Sequence, residues 1–136
     1  MKKLTKLKIC NWSLLPLTAA ILASGIWLEV TACSGIFAVG LHIALGLLFT
    51  VMIAVHLFLH FGRSNWFVRF SKFKKPAIRI LWWTALATLI TGLAASVRWF
   101  ISPVHTPLGG IHGKIGFLMI LLTIAHTAHR LPFFKK

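Results

Sequence analysis

The chain is nearly without acid: Glu29 is the only carboxylate side chain in 136 residues, against 15 Lys and Arg and a formal net charge of +14. Coupled cation transport, which commonly turns on carboxylates inside a membrane, lacks its usual residues. Cysteine is as scarce. Cys10 and Cys33 stand far apart and no C-x-x-C-H sequence occurs. A disulfide framework and covalent cofactor attachment through paired thioethers are both excluded. No activated nucleophile, catalytic dyad or nucleotide-binding loop is legible, which gives no ground for calling the chain an enzyme in its own right. Charge of either sign is sparse at 12%, while hydrophobic residues reach 58%. Such a chain cannot cover itself with a water-soluble surface.

What is present is apolar sequence in long runs. Four segments, at about 12–30, 37–61, 77–100 and 108–131, each exceed or approach the roughly 20 residues that cross a hydrocarbon core about 30 Å thick. Backbone amides in lipid must be satisfied within their own segment, so the expected fold is all-α: an integral membrane four-helix bundle in one domain, 1–136. Pro76 opens the third segment and Thr106-Pro107 the fourth, positions where a missing N–H costs nothing. Six tryptophans, Trp12, Trp27, Trp66, Trp82, Trp83 and Trp99, lie near segment ends as interfacial anchors would.

The basic residues fall between these runs. With the N-terminus inside, the cytoplasmic side collects Lys2, Lys3, Lys6, Lys8, Arg63, Arg69, Lys72, Lys74, Lys75, Arg79, Arg130, Lys135 and Lys136, and only Arg98 and Lys114 stand opposite. That asymmetry predicts both termini in the cytoplasm. It also assigns the positive charge to the anionic lipid surface rather than to nucleic acid, which is not an expected partner. A competing reading makes the first segment a cleaved signal, because Val30-Thr31-Ala32-Cys33 resembles a lipoprotein cleavage box. The apolar stretch from Asn11 to Val30 is longer than a signal h-region and contains Glu29. Retention as a helix is therefore the expectation.

An internal repeat carries the chemistry. Gly40, His42, Gly46 and His56 reappear as Gly110, His112, Gly116 and His126, at a constant offset of 70. The fold is thus read as two tandem helix-pair repeats. Within each copy the histidines are 14 residues apart, which returns them to within about 40° of one helix face and separates them by about 21 Å. The second and fourth helices run the same way through the membrane, so His42 is expected to face His112 and His56 to face His126. Bare pairs of imidazoles in hydrocarbon, without acid or thiolate beside them, suit a six-coordinate haem iron, whose porphyrin supplies the other four ligands. Zinc requires three or four protein ligands at each site. The expected metal ligands are therefore His42, His112, His56 and His126, and the expected cofactors two haem b, with a quinone as a further candidate.

Around these ligands, Gly46 and Gly116 lie four residues along on the same face, where a macrocycle would approach the backbone; helix packing is the plainer role for either glycine alone. Lys114 and Arg98, the two cations on the outer side, are candidates to neutralise haem propionates or to reach lipid headgroups. His60 and His129, expected at the cytoplasmic edge, are candidates to meet a haem propionate, a quinone oxygen or only water rather than first choices as iron ligands, and His105 could join Lys114 and Arg98 at the outer propionates.

Taken together, Gly40, His42, Gly46, His56 and His60, with Gly110, His112, Gly116, His126 and His129, resemble the haem-bearing core of cytochrome b subunits in quinol-oxidising complexes. The short four-helix form resembles the flavinylation-associated cytochrome family over nearly the whole chain. The resemblance implies bis-histidine b haem in a bacterial cytoplasmic (inner) membrane, with electrons passing between the quinone pool and an extracytoplasmic redox partner such as a flavoprotein. The chain is far shorter than the large cytochrome b subunits and lacks their quinol-oxidation loop motif, so their quinol site is not carried over. Two other functions share parts of the pattern: a membrane anchor subunit stapled by haem, and a histidine-lined transporter.

Overall fold

The computed structural model describes residues 3–32, 35–62, 68, 76–103 and 106–134. Four helices lie among the described residues: α1 (Lys3–Thr31), α2 (Ile36–Phe61), α3 (Pro76–Ile101) and α4 (Pro107–Phe134). All four are long and apolar enough to cross a membrane. At 1.5 Å per residue even the 26-residue helices reach about 39 Å, beyond a hydrocarbon core of about 30 Å. Of the expected positions, Lys2, Cys33, Arg63, Trp66, Arg69, Lys72, Lys74, Lys75, His105, Lys135 and Lys136 lie outside the described residues.

Helix ends follow local chemistry. Thr106 caps α4: its carbonyl accepts from the Gly109 N–H at 3.0 Å, and its hydroxyl oxygen from the same group at 3.4 Å. Pro107 follows as the first helical residue, where its absent N–H is no loss. α2 closes on Gly62, whose φ of 68° lets its N–H reach the Phe58 carbonyl at 2.8 Å. The start of α1 differs from the expected residue 12, because the helix runs back through Lys6 and Lys8 to Lys3. Lysine and leucine are good helix formers, and hydropathy marks where a helix enters lipid rather than where its hydrogen bonding begins. Pro16 sits inside α1 and removes the N–H that would bond the Trp12 carbonyl.

Just past α1, Ala32 holds a φ of 46°. That left-handed conformation costs an L-residue with a Cβ roughly 1 kcal/mol, a cost glycine escapes. Ala32→Gly is expected to stabilise the solubilised protein by about that amount, read as a higher thermal unfolding midpoint. A lower midpoint would show that the turn does not carry this strain.

The chain divides into two compact units, 1–64 and 65–136. Each is an antiparallel helix pair. In the first, Ser24 meets His42 while Asn11, nearly four turns earlier on α1, meets His56 on the following helix. In the second, Gly92 and Thr88 lie against His112, and Thr88 against Gly116. Hydroxyls along the spans turn back onto their own helix, as Thr18 does to the Leu14 carbonyl at 2.7 Å and Thr123 to Met119 at 2.9 Å. Their polar hydrogens thus need no water.

Among the described residues only Cys10, Thr18, Phe49, Met119 and Ile120 are buried within the chain. Phe49 and Met119 are themselves 70 residues apart, each three residues past one of the matched glycines. Large apolar side chains such as Phe37 (84% exposed) and Ile36 (79%) point away from the protein interior. In water that surface would drive aggregation; against lipid chains it costs nothing.

Candidate functional site

Each unit carries two of the matched histidines, one early and one late on its second helix: His42 and His56 on α2, His112 and His126 on α4. All four are half-buried in the chain. What distinguishes them is how the first helix of each pair holds the ring.

His42 meets the Ser24 hydroxyl through Nδ1 at 2.8 Å. With the Ser24 hydrogen on the Ile21 carbonyl, 3.0 Å away, the serine oxygen accepts and His42 Nδ1–H donates; with the hydrogen on Nδ1 the roles reverse. His112 shows the same chemistry in the second unit. Its Nδ1 lies 3.1 Å from the Thr88 carbonyl, which can only accept, and 3.4 Å from the Thr91 hydroxyl oxygen, whose hydrogen goes to Ala87 at 2.7 Å. For His56 the acceptor is the side-chain carbonyl of Asn11, 2.8 Å from Nδ1. In His56 and His112 the proton therefore belongs on Nδ1 and the neutral imidazole carries its lone pair on Nε2, and the Ser24 hydroxyl allows His42 the same tautomer.

A glycine makes room for each of the earlier rings. A Cβ on Gly25 would come within 3.3 Å of His42 Cε1, and one on Gly92 within 2.8 Å of His112 Cε1 and 3.1 Å of its Nδ1. Any larger residue at 92 would push the His112 ring off its acceptors. The supports are matched as well: Ile21, Ser24 and Gly25 correspond to Thr88, Thr91 and Gly92 at an offset of 67. Sequence reasoning passed over these residues because each is small and singly unremarkable in an apolar helix. The Ser-Gly and Thr-Gly dipeptides at one offset were the available signal, and Asn11, an amide inside an apolar span, was another.

The other expected residues are placed as follows. The Cβ directions of Gly46 and Gly116 meet Ile21 Cδ1 and Thr88 Cγ2, both at 3.6 Å, an ordinary packing distance inside each helix pair. Lys114 is exposed on α4, and Arg98 is exposed in the last turn of α3, where a cation complements the helix dipole. His60 is exposed one turn beyond His56, with ring centroids 6.0 Å apart, and His129 is exposed near the end of α4. Among the described residues no three or more His, Cys, Asp or Glu gather as a cage for a bare metal ion.

These residues fit haem on the chemistry of the donor set. A haem iron asks for one nitrogen lone pair from each of two neutral imidazoles, and a second-shell acceptor on Nδ1–H is the usual means of presenting Nε2. His56 and His112 meet that condition within their own helix pair, and His42 does with the Ser24 oxygen accepting.

No protein-family model, curated protein or solved structure matches this chain. What the fold and site define is a class, a chain of four membrane-length helices with histidines fixed by their neighbours, and the functional reading rests on that chemistry.

Proposed function

We propose that this chain is a di-haem b-type membrane cytochrome of two helix-pair repeats, carrying electrons across a bacterial cytoplasmic membrane. The observation that carries the reading is the matched spacing of His42, His56, His112 and His126, with the Nδ1 atoms of His42, His56 and His112 each engaged from the first helix of its pair. Four imidazoles spent on packing alone would have no reason to recur at one spacing.

In this reading His42 and His112 hold one haem, and His56 and His126 the other, each through Nε2. A haem held there would supply one-electron chemistry between ferric and ferrous iron. The chain's part is to fix the ligands, exclude water with its apolar helices and set the two potentials through hydrogen bonding and charge. Arg98 and Lys114 supply positive charge for propionates on the side away from the cytoplasm. Both termini lie in the cytoplasm, following the asymmetry of basic residues. The electron partners are the quinone pool and an extracytoplasmic redox protein, a flavoprotein being the partner the family resemblance suggests.

Anaerobic mixing of the oxidised, haem-loaded protein with a short-chain quinol tests the electron-transfer role. Growth of the reduced b-type absorption within the dead time to seconds is expected. Haems that dithionite reduces but neither quinol nor a reduced flavoprotein touches would assign the chain to a haem-stapled anchor instead. Replacing both outer cations, Arg98→Gln with Lys114→Gln, is expected to lower the midpoint potential of the His42/His112 haem only, because positive charge favours the reduced state. A redox titration reads it, and unchanged potentials would place both side chains at the lipid headgroups.

A further inference from the structure

Asn11 stands apart from the other supports of the histidines. Ser24 and Thr91 are matched between the two units, but at the corresponding offset of 67 from Asn11 the second unit has Ile78, which offers no side-chain acceptor. Asn11 is half-buried within a span long and apolar enough for a membrane, where an amide side chain is costly to desolvate unless it is hydrogen-bonded. Its side-chain carbonyl lies 2.8 Å from His56 Nδ1, across the helix pair and 45 residues away in sequence. This is a directed contact between the two helices.

We propose that Asn11 is a positioning residue that sets the ligand strength of His56 and, through it, the midpoint potential of the haem that His56 holds. This rests on the cytochrome reading above. By accepting the Nδ1–H, the Asn11 carbonyl fixes the tautomer that leaves the lone pair on Nε2 and draws the ring toward imidazolate character. A ligand of that kind donates more strongly and favours ferric over ferrous iron. His56 thus has an amide oxygen on its Nδ1, where His42 and His112 have a hydroxyl oxygen of Ser24 or Thr91 within reach.

Two substitutions separate this role from a merely structural one. Asn11→Leu removes the acceptor at similar volume, and Asn11→Asp keeps an oxygen there while strengthening it. The haem-loaded, detergent-purified proteins are titrated potentiometrically and examined by low-temperature electron paramagnetic resonance, with His56→Ala identifying which signal belongs to which site. The expected result is opposite shifts confined to the His56 haem: a higher midpoint potential with leucine, a lower one with aspartate. Transfer of that haem to apomyoglobin should also quicken roughly 10- to 100-fold with leucine, the usual cost of losing an outer-shell partner. The other haem serves as the internal control. Two haems in every variant with unchanged potentials and spectra would overturn the role of Asn11 and leave the cytochrome reading standing. Equal shifts at both haems would likewise overturn it, by showing a general disturbance of the fold. If leucine prevents folding, the aspartate variant decides alone, by a lowered potential or none. A wild-type protein without haem would remove the reading beneath the proposal.

Discussion

Replacing His56 with alanine is expected to halve the haem content, from two b haems per chain to one. A haem held by His56 would lose one of its two protein ligands, and the Asn11 side-chain carbonyl, 2.8 Å from His56 Nδ1, loses that contact inside an apolar span. The effect should be local. His42 and its Ser24 partner lie about 21 Å away along the helix, from 14 residues at 1.5 Å each, too far to share contacts with position 56. A pyridine haemochrome assay against protein concentration reads the stoichiometry. His42→Ala should give the complementary loss, and the two spectra together should add to the wild type. Retention of both haems in either variant would remove that histidine from the ligand set.

A second large effect is expected from a single methyl group at Gly92. The Cβ of Gly92→Ala would lie 2.8 Å from His112 Cε1, a separation real carbon atoms do not tolerate. The imidazole is the part free to yield, and it yields by leaving the Thr88 carbonyl and the Thr91 hydroxyl. Iron ligation is sensitive to such outer-shell contacts by roughly 10- to 100-fold in affinity. Haem at the His112 site should therefore be lost to a competing acceptor at least about tenfold faster than in wild type. Gly25→Ala makes the matched change at a 3.3 Å approach to His42 Cε1 and should be milder. Equal and small effects from both alanines would mean that neither glycine shapes the ligand geometry.

The four helices could be read from the sequence because in lipid one physical requirement, internal satisfaction of the backbone, leaves a run of 20 apolar residues little choice. Thr106-Pro107 and Pro76 marked their helix starts for the same kind of reason, a local donor that is absent or capped. Lys3 to Lys8 do not read as helix from hydropathy, because polarity marks the edge of the apolar run, whereas the helix continues through them with Lys6 and Lys8 exposed. The histidines were legible through spacing, since 14 residues brings a side chain back to one face. Their supports were not. Ser24, Gly25, Thr91 and Gly92 act through contacts between helices, and only the antiparallel pairing of α1 with α2 and of α3 with α4 brings them to the rings. Asn11 belongs with them: its oxygen and His56 are 45 residues apart in sequence and 2.8 Å apart in space.

The most direct test of the central claim is a dithionite-reduced minus oxidised difference spectrum of the wild-type protein, expressed with ample haem and purified in mild detergent, with haem quantified per chain. Two b-type haems per polypeptide are expected, low-spin in both oxidation states because each iron has two imidazole ligands. Protein that is folded and helical but carries no haem would contradict the account, and would return the four histidines to transport or to packing.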